Sequence, residues 1–115
     1  MVYIVQEVEG RNILSAGQFG TLKVLLPKGE IVLSPSPTIR KLQRELREFG
    51  DKDYLLLMGD PVAIGLAASI AADMNRGRVK YLKWDRQEKM YYVVETELHP
   101  QIGINETHEK VVAIR

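Results

Sequence analysis

DYLLLMGDPVAIGLAASIAADMNRG, residues 53 to 77, reads as a strand, a turn and a helix in immediate succession. Tyr54-Leu55-Leu56-Leu57-Met58 lacks the alternation of a half-buried strand, is too short for a helix before the glycine, and is bounded by polar residues. It reads as a central strand buried on both faces. Asp60-Pro61 is a helix start with a mechanism: the carboxylate accepts from orphan first-turn amides, and proline at the first helical position gives up an amide that had no partner. From Val62 to Ala72 the helix is apolar almost all round, with Ala63, Gly65, Ala67, Ala68, Ala71 and Ala72 small enough for close approach. Such a helix is expected to be covered on most sides. Asn75-Arg76-Gly77 supplies the stop, Gly77 suiting the left-handed position past the C-terminus.

Upstream, Val2 to Val8 predicts a strand and Glu9-Gly10-Arg11-Asn12 a turn, while Ile13 to Gly20 has no clear period and reads as loop. Thr21 to Leu26 and Glu30 to Leu33, separated by Pro27-Lys28-Gly29, suggest a hairpin. In PTIRKLQRELREF, Ile39, Leu42, Leu46 and Phe49 fall at helical spacing, with Ser36 as cap, Pro37 in the first turn and Gly50 as the end. Arg40, Lys41, Arg44 and Arg47 interleave with Glu45 and Glu48, the pattern of a solvated face. Downstream, Arg78 to Trp84 and Met90 to Glu97 flank the polar turn Asp85 to Lys89 as a second hairpin. The expected fold is a single α/β domain over residues 1 to 115, with α+β as the alternative and residues 99 to 115 a candidate docking or swapped tail. Its βαβαβ core from Glu30 to Trp84 would lie in a mixed sheet of about five to seven strands, with antiparallel edge hairpins and two helices.

At 115 residues the chain suits one domain, and a hydrophobic content of 45% with 27% charged residues is ordinary for a globular protein. The formal net charge of +1 gives no global field to attract nucleic acid or a membrane. Cysteine is absent, which excludes disulfides, thiolate chemistry and the usual structural zinc sites. His99 and His108 lack metal-ligand spacing. No signal peptide and no membrane span is read, so a soluble cytoplasmic protein without cofactor is the expectation.

Three places are candidates for chemistry. In an open α/β sheet the carboxyl ends of parallel strands face ligand, and both helices are expected to begin there. Ser34, Ser36 and Thr38 at one helix start and Gly59 and Asp60 at the other would suit a phosphate or carboxylate group, though Ser36 and Asp60 are also what a cap alone requires. The Gly-Asp-Pro string is no nucleotide fingerprint, having neither G-x-G-x-x-G nor a P-loop lysine. Asp51, Asp53 and Asp60 could be drawn as a magnesium site, but the first two precede the central strand and the third follows it. No nucleophile, base and orienter set is complete, which argues against an enzyme. The third place is the hairpin 76 to 92, where Arg76, Arg78, Lys80, Lys83 and Arg86 interleave with Trp84 and tyrosines. That mixture suits single-stranded nucleic acid or an acidic partner, and equally a sheet packed by its aromatics with lysines guarding an edge.

PTIRKLQREL, DYLLLMGDPVAIGLAASIAADMN and GRVKYLKWDRQEKMYY together resemble small proteins encoded by tailed bacteriophages, notably marine ones. The resemblance spans about Thr21 to Glu95, and LMGDP and LKWDRQ are its most specific strings. The family carries no assigned activity, so the resemblance transfers no functional residue. It implies a setting: an accessory protein in the cytoplasm of an infected bacterial cell. The leading expectation is a non-enzymatic protein-binding or self-associating module with a protein partner or homo-oligomer. The alternatives are an anionic-ligand or nucleotide domain and a nucleic-acid binder.

Overall fold

The computed structural model describes residues 1–10, 13–28 and 34–99. Five strands, β1 (Val2–Gln6), β2 (Leu22–Leu26), β3 (Tyr54–Leu56), β4 (Arg78–Asp85) and β5 (Met90–Glu97), form one sheet in the order β2-β1-β3-β4-β5. The first four run parallel, and β5 returns antiparallel to β4 from Asp85↔Met90 to Arg78↔Glu97. The sheet is mixed and the domain α/β, as the alternation of apolar runs and helical spacing predicts.

Two helices follow their strands, α1 (Pro35–Glu45) after β2 and α2 (Pro61–Met74) after β3. Both pack on one face: Leu42, Leu46 and Phe49 from the α1 region and Ala63, Ala67, Ala71 and Ala72 from α2 share a core with Tyr3, Val5, Leu55 and Val79. A 3-10 helix (Leu14–Phe19) lies against the other face, where Ala16 joins Val2, Ile4, Leu56 and Leu82. The β1-to-β2 connection steps one way along the sheet while β2-to-β3 and β3-to-β4 step the other way. Connections of opposite direction on opposite faces are what a constant crossover hand requires. β1, flanked on both sides and covered on both faces, is buried at every residue.

Several expectations need correction. Ile13 to Gly20 is no loop: Leu14 to Phe19 close 3-10 turns, bury Ala16 and set the Phe19 ring edge-on to Tyr54 at 5.5 Å. β2 pairs in parallel with β1 and itself opens the βαβαβ unit, which therefore begins earlier than Glu30; the expected second arm of its hairpin, Glu30 to Leu33, lies outside the described residues. The first helix starts two residues earlier than its serine-proline signal suggests, with Ser34 at the cap position, Pro35 in the first turn and Ser36 inside the helix. Serine-proline occurs twice in succession there, and the first copy takes the start. β3 is confined to Tyr54–Leu56, and Leu57 beyond it is 41% exposed. As expected, α2 is covered on most sides: its alanines meet the sheet and Ile64, Leu66 and Ile70 are partly buried, leaving one exposed stripe of Val62, Gly65, Ser69 and Asp73, with Val62 57% exposed. Alanines carry α2 close to the strands because they have nothing to hold it off.

Other readings hold. β3 is the middle strand, Asp60 caps α2 through bonds from Val62 N (2.9 Å) and Ala63 N (3.1 Å), and Gly77 sits at φ 83 just past the helix. Arg76 also adopts a positive φ, 56. A Lys23–Glu45 ion pair of 2.8 Å ties β2 to α1.

The two sides of this architecture differ in what they tolerate. Leu55→Ala, in the centre of the helix-covered face, is expected to cost about 2–5 kcal/mol of unfolding free energy through lost burial and a cavity. Val62→Ser, on the open side of α2, is expected to stay within about 0.5 kcal/mol. Urea titrations followed by circular dichroism measure both.

Candidate functional site

The sheet reverses direction of growth between β1 and β3, so the crevice at their carboxyl ends is where an open α/β sheet takes a ligand. Here that crevice is filled from within. Gln6, the last residue of β1, is 5% exposed. Its Nε2 donates to the Pro27 carbonyl past β2 (3.3 Å), and its Oε1 accepts from Asp60 N past β3 (2.7 Å). Its own amide donates to the Met58 carbonyl (3.0 Å). One side chain therefore joins the ends of three strands.

Gly59 is the companion of this arrangement. It holds φ 120, and a Cβ there would stand 2.4 Å from Gln6 Cβ and 2.6 Å from Gln6 Oε1. Only a residue without a side chain lets the turn close over the glutamine. Asp60 then uses its carboxylate on its own helix, and its carbonyl accepts from Ile64 N (2.9 Å). The first-turn amides of α2 are thus engaged by the chain itself. Ser34, Ser36 and Thr38 lie at the same edge of the sheet, at the start of α1; Ser34 makes no side-chain cap bond, Ser34 and Ser36 are exposed and Thr38 is buried.

The basic hairpin residues are spread over β4 rather than gathered. Strand alternation sets Arg78, Lys80 and Trp84 on the 3-10 face and Lys83 on the helix face. Arg78 grips Asp51 with two bonds, Nε to Oδ1 at 3.1 Å and Nη2 to Oδ2 at 3.0 Å, while Asn75 Nδ2 donates to the same carboxylate at 2.9 Å. Lys80 Nζ stands 4.4 Å from the centre of the Tyr54 ring, a cation–π contact. Arg76 lies past α2 and Arg86 in the β4–β5 turn, at opposite ends of β4. Asp51 and Asp53 stand before β3 and Asp60 after it, and among the described residues no cluster of three or more histidine, aspartate or glutamate groups could hold a metal ion.

Two clefts open beside β4. At its amino end, about 500 Å³ is bordered by Asp51, Asn75, Arg78, Glu95 and Glu97, a polar wall in which Arg78 and Asp51 form an ion pair. At its carboxyl end, about 610 Å³ lies among Leu57, Met58, Leu82, Lys83, Trp84 and Tyr91. Its size suits a small-molecule site or the anchor pocket of an interface. Trp84 packs edge-on to Tyr91 at 4.9 Å and remains 39% exposed. Burial raises the pKa of the Tyr81 phenol on the cleft wall. Of the residues singled out in the sequence, Lys83, Trp84 and the hairpin tyrosines Tyr81 and Tyr91 reach this cleft; Leu57, Met58 and the plugging Gln6 carry no motif. The signal for Gln6 is faint: a long polar side chain ending an otherwise apolar strand, VYIVQ.

A family model described as Phage Pam3 gp32-like protein matches residues 1–98. The chain belongs to that family. The matched span takes in every strand and helix described above, from β1 to the end of β5. No curated protein and no solved structure matches the chain. Membership makes it a phage protein without assigned activity, and among the described residues no helix is long and apolar enough to cross a membrane.

Two consequences can be measured. Gly59→Ala is expected to lower stability by about 1–3 kcal/mol from its backbone conformation alone, with the contact on Gln6 added, and Gln6→Ala in the same chain will not restore it because the closest clash is with Cβ. Full rescue in the double variant would contradict this geometry. The Arg78 guanidinium first, and the Asn75 amide second, hold the Asp51 carboxyl below the usual carboxylate range. A depressed carboxyl contributes stability above its unfolded pKa and loses it as pH falls through the lower folded value. Carbon-detected NMR titration is expected to show the Asp51 midpoint moving up in Arg78→Ala.

Proposed function

We propose that this phage protein is an accessory module that acts by protein contact in the infected cell's cytoplasm and catalyses no reaction. The observation that carries this reading is the carboxyl-end cleft, where the half-exposed Trp84 and Leu57 stand with Met58, Leu82 and Tyr91. Exposed aromatic and aliphatic groups gathered around one hollow are the composition of an interface centre. The place an α/β sheet reserves for small ligands is occupied by Gln6, and the α2 amides that would hold an anion are bonded to Asp60. A nucleic-acid surface gains little support from β4, since Arg78 and Lys80 are engaged within the fold and the cations divide between two faces.

Leu57→Ser is expected to abolish retention of a phage-encoded protein from infected-cell extract while leaving the urea midpoint nearly unchanged. Unaltered retention would remove the cleft from the interface. In thermal-shift scans, nucleotides, inorganic phosphate and oligonucleotides are expected to leave Tm unmoved. A ligand at a hundred times its Kd stabilises by about 2.7 kcal/mol, so a clear rise with any of them would overturn the proposal.

A further inference from the structure

We infer that the carboxyl-end cleft takes an extended segment of a protein partner in which a large apolar residue is followed directly by aspartate or glutamate, the apolar side chain lying against Trp84 and the carboxylate on Lys83. The inference rests on the protein-contact reading and names what that partner presents.

The cleft exists because β3 is short. Its pairing with β4 covers Leu55↔Tyr81 and Leu56↔Leu82, while β4 runs on through Lys83 and Trp84 to Asp85. Beyond β3 the Met58 carbonyl accepts from Gln6 N, which draws the chain toward β1 and opens a notch beside the end of β4. Lys83 and Trp84 are consecutive, and strand alternation turns them to opposite faces of the sheet. Both border the notch, so its two lips differ in chemistry. On one, the Trp84 ring, 39% exposed, meets Tyr91 edge-on, with Leu82 and Met58 of the same apolar cluster. On the other, Lys83 is exposed and is the one ionic side chain among the described residues that line the cleft. Among the described residues it enters no ion pair. The next acid along β4, Asp85, holds the turn amides Gln87 N (2.9 Å) and Glu88 N (3.2 Å), and Asp60 is engaged by α2.

An extended segment alternates its side chains with the same period of two, so two consecutive residues reach both lips at once. An apolar residue suits the tryptophan side by burial, and a carboxylate suits the ammonium by charge. The opposite placement would set an acid among aromatic and aliphatic walls with nothing to pair it.

The one tryptophan of the chain lines the cleft, so its emission reports occupancy. The full chain is titrated with the capped peptides acetyl-TVLETV-amide, acetyl-TVLQTV-amide and acetyl-TVLKTV-amide, none of which fluoresces in that range. The emission is expected to move to shorter wavelength with the glutamate peptide, which binds about five-fold more tightly than the glutamine peptide, the lysine peptide binding least. In Lys83→Glu the preference is expected to reverse toward the lysine peptide, with the urea midpoint nearly unchanged because the position is exposed. Emission unmoved by all three peptides at millimolar concentration overturns the inference. Equal affinity for the glutamate and lysine peptides overturns it too, as does a preference that survives Lys83→Glu. The protein-contact reading fails on a different result: retention of the phage-encoded protein lost on Leu57→Ser but kept in Lys83→Glu refutes the carboxylate contact alone, whereas retention kept in Leu57→Ser removes the cleft itself.

Discussion

Everything at the carboxyl edge of the sheet depends on the amide group of Gln6. It meets a carbonyl with its nitrogen and an amide with its oxygen, so it satisfies two backbone groups that loops from different strands bring to the same buried point. Buried backbone groups left unpaired would each cost about 1–3 kcal/mol, and a glutamine is the side chain long enough to serve both while adding no charge. The glycine that follows Met58 exists, in physical terms, to let that side chain through. From this one contact follow the angle at which the chain leaves β3, the place where Asp60 caps α2, and the closure of the crevice between β1 and β3.

The broad plan was legible because it rests on local chemistry. An apolar run ended by Gly-Asp-Pro could only be a buried strand feeding a capped helix, and the alternating polar turn between Trp84 and Met90 could only join antiparallel strands. What local chemistry cannot carry is which distant segment lies alongside. Nothing in LKVLL says that the first strand lies alongside it, in parallel. The 3-10 helix escaped notice for a related reason: ILSAGQFG has no period, and its turns are justified only by the sheet face that Ala16 and Phe19 cover.

The candidate site was half visible. Aspartate-proline marked the helix start correctly, yet the same carboxylate that identified it also occupies the amides that made it attractive. Trp84 and Lys83 stand out in the sequence for stacking and charge, and they do border a cleft, but the cleft is made by Leu57 and Met58 running past the end of a strand that stops sooner than its sequence suggests. A polar bolt such as Gln6 is beyond reading from one chain, because its meaning resides in groups 21 and 54 residues away.

The burial of β1 bears on how the chain comes to be folded at all. Its neighbours are β2 and β3, the latter some fifty positions later in the chain. Among the described residues, the one contact between strands adjacent in sequence and joined by a tight turn is between β4 and β5. A nascent chain therefore holds one side of VYIVQ unpaired until Tyr54 to Leu56 has left the ribosome, and the loop that must close before β1 is seated between its two neighbours is long. The strand buried at every residue of the finished molecule is thus fully enclosed only after Tyr54 to Leu56 has appeared.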